Sequence, residues 1–314
     1  MTRYIFKRLI QLIPVVIGVT LMVYFILDLA PGDITSALGG DQLSQQDLLA
    51  LRHELGMDQP FIVRYIKYMG GLVRGDLGTS LISGRSVTET FFMRLPTTLR
   101  IALSATLFSV VFSIPLGIYS AVKKGSIQDN LATIFSILGM SMPNFWLGLL
   151  LIIGFSLKLG WFPSSGYSGA ASLVLPAVTV GTGLMANLTR MTRSSMLDVL
   201  NQDYLRTVRA KGVSEKKVIQ KHAFKNALIP IITVIGTQLG ISLGGSILTE
   251  SVFAIPGIGR LMMDSINQRD TPQVLGCVVL TTILISVIML LVDLLYAMVD
   301  PRIKAQYMRG GKKH

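Results

Sequence analysis

Six stretches of this sequence contain no Asp, Glu, Lys or Arg over lengths that matter to a bilayer: residues 9–27, 101–122, 130–157, 159–189, 226–249 and 271–292. A helix crosses the hydrocarbon core with about 20 apolar residues. Lipid offers no partner for backbone N–H and C=O groups, so only helices or closed barrels span it. Runs this long are helical, so the expected fold class is an all-α integral membrane protein with six transmembrane helices. The fourth run opens with GWFPSSGYSGAAS, a turn-rich stretch read as a loop, and its span extends from Leu173 to Thr189. The first run exceeds the 7–15 residues of a signal-peptide core and no small-x-small cleavage site follows, which predicts an uncleaved anchor helix.

Composition agrees. Only 15% of the 314 residues are charged, against roughly 25% in soluble domains, and the mean hydropathy is +0.58. The net charge of +12 raises the question of nucleic acid, and its distribution answers it. Three Lys or Arg precede the first run, two follow the second, nine lie between Arg190 and Lys225 and five lie between Arg302 and Lys313. With both termini cytoplasmic, nineteen of the 29 are inside, and seven of the ten outside belong to the long segment between spans 1 and 2, where the positive-inside bias does not act. Membrane topology accounts for the charge, and no nucleic-acid partner is expected. The single Cys277 excludes a disulfide framework and a Cys-based metal site.

These readings divide the chain into a cytoplasmic N-terminus with span 1 (1–30), an extracytoplasmic helical segment (31–98), a transmembrane core (99–300) containing a cytoplasmic loop (190–225), and a basic cytoplasmic tail (301–314). In the outer segment, SQQD at 44–47 is a capping-box-like start for a helix that stops at Gly56. A second helix is expected over Phe61–Leu72, with Phe61, Tyr65, Tyr68 and Leu72 on one face. Two such helices either cap a bundle or meet a delivered partner protein.

The loop carries DYLRTVRAKGVSEKKVIQKH (203–222), six basic residues and two acids. Tyr204, Leu205 and Val208 fall on one face of a short helix, Gly212 breaks it, and Val218, Ile219 and Ala223 form the face of the next. A topology anchor or a lipid-attracted basic patch explains the charge but not the apolar face. An exposed helix with such a face suits a groove in another protein.

DYLRTVRAKG, followed by HAFKNALIP (222–230), resembles the cytoplasmic coupling segment of permease subunits in ABC importers, specifically the dipeptide/oligopeptide/nickel branch. The general form of that segment is Glu-Ala-Ala, three residues, Gly, nine residues, Ile-x-Leu-Pro. Here the Glu-Ala-Ala places hold Arg206, Thr207 and Val208, the Ile place holds His222, and the nearest proline is Pro230. The peptide branch is similar to this chain instead. Five further blocks resemble the family in its order: LAPGD (29–33, with Ile34 where proline is frequent), LGMDQPFIVRYIKYM with GDLGTS (55–80), MSMPNFWLGLLL (140–151), ESVFAIPGIGRLMMDSINQRDTPQVLG (250–276) and VDLLYAMVDPRIK (292–304). Together they touch nearly the whole chain.

The resemblance implies a second homologous permease subunit, one or two cytoplasmic ATPase subunits that carry the ATP and Mg, and an extracytoplasmic substrate-binding protein, all in the bacterial cytoplasmic (inner) membrane. No cofactor is expected on this chain, which has no G-x-x-x-x-G-K-[ST] phosphate loop and is not expected to be an enzyme. Tyr204, Leu205 and Val208 would supply apolar contact with the ATPase, Arg206, Arg209, Ala210 and Lys211 would complete the docking helix, and Gly212 the reversal after it. The expected cargo is di- or oligopeptides, with nickel or metal-chelator complexes and glutathione as alternatives.

Polar groups inside spans are costly, which makes Asn144, Asn187, Gln238 and Ser242 candidates for a weakly polar translocation path. Gly236, Gly240 and Gly244 share one helix face, suited to close helix packing or to a smooth path wall. Asp293 is expected to pair with Arg302 or another cytoplasmic basic residue. The histidines (His53, His222, His314) are scattered, no metal site is expected, and Met140, Met142, Met262 and Met263 read as packing. An ion-coupled secondary transporter would need charges deep in its spans, and the six runs contain none. A membrane enzyme would need a constellation such as H-E-x-x-H or G-x-S-x-G, and neither is present.

Overall fold

A computed structural model describes residues 2–29, 44–54 and 56–299. Most of LAPGD with Ile34, Arg302 and the 301–314 tail therefore lie outside the described residues. Among the described residues the chain is helical, with one isolated bridge between Thr79 and Ser86 and no strand. Five of the described helices are long and apolar enough to cross a membrane: Ile5–Leu29 within α1 (Thr2–Leu29), α4 (Val87–Val122), α7 (Ala171–Leu200), Glu215–Gly244, and Thr271–Leu294 within α13 (Thr271–Val299). The fourth of these joins α9 (Glu215–Lys217), a π-helical stretch (Val218–Ala223) and α10 (Phe224–Gly245).

The third apolar run is not one straight helix. It forms α5 (Ile127–Ser141) and α6 (Asn144–Leu151), the latter continuing as a π-helix over Ile152–Lys158, and the pair is bent by 102°. Pro143 is the cause. It holds Met142 in extended backbone (φ −75, ψ 125), because a residue before proline is pushed out of the α region.

At the centre, α4 and α7 approach through small residues. A side chain at Gly181 would collide with Phe108 and the Ala105 carbonyl, and one at Gly117 with Thr192 and the Thr189 carbonyl. The glycines of α10 do the same against α13: Gly236 faces Val292 and Gly240 faces Met289. Gly236 and Gly240 thus serve close packing within this chain.

Two ends are distinguishable. At one, Arg8 pairs with Asp293 at 2.8 Å, so the start of α1 lies beside the end of α13, and Arg8 is the basic partner anticipated for Asp293. At the other end lie α2 (Gln45–Glu54) and α3 (Phe61–Val73). Ser44 caps α2 by accepting the Asp47 N–H (3.2 Å), and Gly56 ends it with φ +66. Phe61, Tyr65 and Tyr68 of α3 pack on Tyr24 of α1.

α11 (Ile247–Val252) and α12 (Ile258–Asn267) form a helical turn before α13, organised by Glu250. Its side chain is fully buried. Oε1 accepts from Thr98 Oγ1 (2.7 Å) and Ser246 Oγ (3.1 Å), and Oε2 from the Arg260 N–H (3.1 Å). A Cβ at Gly257 would overlap this carboxylate, which is why PGIG follows it.

Candidate coupling site

The loop between α7 and the next spanning helix is shorter than 190–225, because α7 runs on to Leu200 and the next helix begins at Glu215. Between them α8 (Asp203–Ala210) stands as a separate eight-residue helix. So short a helix is marginal in water by itself, and three contacts hold it. Leu205 is fully buried in a cluster with Ala121, Leu188, Met196, Val218, Ala223, Ala227 and Ile231. The Tyr204 hydroxyl donates to the His222 carbonyl (3.2 Å) and accepts from Asn226 Nδ2 (2.7 Å), tying α8 to the start of α10. Arg209 donates both Nε (3.0 Å) and Nη2 (2.9 Å) to Glu215, closing a clasp across Gly212. Gly212 has φ +77, a left-handed conformation that costs any residue with a Cβ.

This geometry corrects one expectation. Leu205 cannot offer apolar surface to a partner, because its own bundle consumes it. Half-buried Val208 packs against the same cluster. What α8 and Lys211 after it present to solvent is mainly polar: Arg206, Thr207, Arg209 and Lys211 are exposed, together with Ala210 and part of the Tyr204 ring. Among the described residues Arg206 makes a solvent-exposed pair with Asp203 (3.5 Å).

Beside this site is an ion pair absent from the sequence reading. Asp129, at the start of α5, is buried and accepts Nε (2.7 Å) and Nη2 (2.8 Å) of Arg193 on α7. It also accepts the Gly125 N–H (2.9 Å) and the Ser120 hydroxyl of α4. A bidentate Arg–carboxylate pair fixes geometry as well as charge, so α4, α5 and α7 are held at the end where α8 docks. Asp129 and Arg193 are 64 positions apart, and no sequence spacing relates them.

The four path candidates divide. Gln238 and Ser242 are buried within the chain, Gln238 donating to the Leu184 carbonyl (3.0 Å) and Ser242 to that of Leu239 (2.8 Å). In this arrangement both side chains lie against the chain's own helices. Asn144 is half-buried at the start of α6 and Asn187 is exposed on α7.

Membrane-length helices, with a short basic helix standing between two of them, make this a multi-pass membrane protein. In fold the chain is similar to a chain of the MetNI methionine ABC transporter, solved in inward-facing conformations, which superposes with a TM-score of 0.57 at 21% identity, covering 68% of this chain and 97% of that one. Residues 113–305 match the family described as binding-protein-dependent transport system inner membrane component, and residues 1–102 match the N-terminal family of the same systems. The chain belongs to this family of ABC importer permeases and is a multi-pass inner-membrane protein. It is 42% identical to the oligopeptide transport system permease protein AppB of Bacillus subtilis, over 97% of this chain and 100% of that protein. It is 40% identical to the glutathione transport system permease protein GsiC of Salmonella paratyphi A, over 97% and 99%.

Proposed function

We propose that this permease forms one half of the translocation path of an ATP-driven importer of di- or oligopeptides, facing a second, homologous permease. In this reading six spans cross the membrane, with the bent α5–α6 pair as the third, and both termini and α8 are cytoplasmic. Arg8, Asp293, Asp129, Arg193 and α8 sit at one end of the bundle, where most Lys and Arg of the short loops belong, and the positive-inside rule supports reading that end as the cytoplasmic one. A binding protein delivers substrate on the other side, and ATP with Mg is bound and hydrolysed by one or two partner subunits, with no cofactor on this chain.

The observation that carries the reading is the mounting of α8. It hangs from the bundle by a buried leucine, is clasped across a left-handed glycine, and turns its basic face outward. Arg206, Arg209, Lys211 and the exposed part of Tyr204 would meet the ATPase, Ala210 would lie at the close approach, and Leu205 would transmit the push into α4, α7 and α10. Asn144 and Asn187 remain candidates for the path.

Affinity purification of the tagged chain in mild detergent tests this. ATPase subunits and a second permease should copurify with it. Ala210→Trp should lose the ATPases while keeping the second permease; ATPases retained by that variant, with uptake unchanged, would refute the docking role. Glutathione is the alternative cargo, favoured by the GsiC likeness. Competition of labelled dipeptide uptake by excess glutathione separates the two.

A further inference from the structure

We propose that α3 is a lipid-seated helix, lying in the outer edge of the bilayer with Ile62, Ile66 and Val73 immersed in hydrocarbon. The inference goes beyond the transport reading and uses α1 as a depth gauge. Between Arg8 and Asp28 that helix has no charged residue, and twenty residues of helix rise span about 30 Å, the thickness of the hydrocarbon core. Asp28 therefore marks one face of the core and Arg8 the other.

Contacts to α1 place α3 on this scale. The rings of Phe61, Tyr65 and Tyr68 surround Tyr24 with centroids 5.5 to 6.2 Å away. Arg64 reaches outward to Asp28 (2.5 Å), while Tyr65 reaches inward, its hydroxyl donating to the Ile17 carbonyl (3.1 Å). The axis of α3 consequently lies near the level of Tyr24, four residues or about 6 Å inside Asp28. Amphipathic interfacial helices sit about 5–10 Å into the boundary. Arg64 pointing outward is the snorkelling expected of a long basic side chain at that depth.

On the side of α3 turned from α1, Ile62, Ile66 and Val73 are 66%, 63% and 84% exposed. At i, i+4 and i+11 they form one stripe, with Gly70 filling the gap. Such a stripe at this depth meets acyl chains. The basic edge, with Arg64 and Lys67, lies nearly opposite on the helix and lines a cleft of about 480 Å³ with Asp76 and Tyr68, so apolar and polar edges are sorted as an interface demands.

The test uses the assembled transporter in liposomes. Cys277 is the sole cysteine and is buried, so a Cys277→Ser background with Ile66→Cys, labelled with bimane, gives one reporter. Phospholipid brominated on its acyl chains should quench bimane at 66 at least about two-fold, as contact of an interfacial apolar face with acyl chains requires, and should leave a label at Leu49→Cys on α2 unquenched. Ile62→Cys serves as a second reporter should the first not assemble. No quenching at 66, with a charged maleimide reacting there as fast as at 49, would mean a water-exposed stripe and overturn the proposal. No quenching with the maleimide excluded would mean a protein cover and overturn it equally.

Discussion

Replacing Leu205 by alanine separates the mounting of α8 from the stability of the bundle. A Leu→Ala change at a fully buried position costs about 2.7–5.0 kcal/mol, including the cavity left behind, and Leu205 is fully buried. Its companions are weaker: each hydrogen bond at Tyr204 contributes about 1 kcal/mol, and the largely exposed Arg209–Glu215 pair at most about 1 kcal/mol. Leu205 thus supplies roughly half of what holds α8 down, and losing about 3 kcal/mol raises undocking about 100-fold, since 1.4 kcal/mol is a factor of ten. Hydrogen–deuterium exchange in nanodiscs reads this directly as local opening. Amides of residues 204–211 should exchange about 100-fold faster in Leu205→Ala, while those of α4 and α7 keep wild-type protection. Unchanged exchange in α8, or acceleration spread equally through α4 and α7, would refute an independently docked helix anchored by one side chain.

Three further substitutions test separate joints. Gly212→Ala should cost about 1–2 kcal/mol by denaturation because of its left-handed φ, and Gly212→Asn less; equal costs would remove the backbone explanation, since nothing crowds a Cβ there. Arg193→Ala leaves buried Asp129 without its cation and should destabilise by about 3–5 kcal/mol, with Asp129→Asn added in the same chain recovering part of the loss; a thermal midpoint equal to wild type would contradict the pairing. Glu250→Gln should cost about 1–3 kcal/mol, because the two hydroxyls that donate to Oε1 must turn round to accept from the amide nitrogen while Oε1 of the glutamine keeps the Arg260 N–H, and a midpoint unchanged in nanodiscs would contradict that network.

Much of this was legible in the sequence because lipid enforces simple rules. The uncharged runs located the spanning helices, Ser44 and Gly56 bounded α2, Gly212 marked the end of α8, and the basic loops marked one end of the bundle. Periodicity failed where it had to choose between two partners. It placed Tyr204, Leu205 and Val208 on one apolar face but could not say that the face belongs to this chain's own core. Polar residues in an apolar run, such as Gln238 and Ser242, likewise look alike whether they line a channel or bond to a neighbouring carbonyl. The bend at Pro143 was visible in principle, since proline restricts the residue before it, yet an uninterrupted apolar run concealed it.

The sequence alone determined what the solvent dictates: that the chain is helical, that it lives in a membrane, which loops share a side, and, through its motif blocks, which family it resembles. Only the tertiary structure decided which side chains meet across long separations. Arg193 finds Asp129, Arg8 finds Asp293, Thr98 finds Glu250, and Leu205 turns inward. The reason is physical: partitioning between water and lipid acts on each segment separately and is written in local composition. Pairing of buried polar groups and filling of a core depend on where distant segments come to rest.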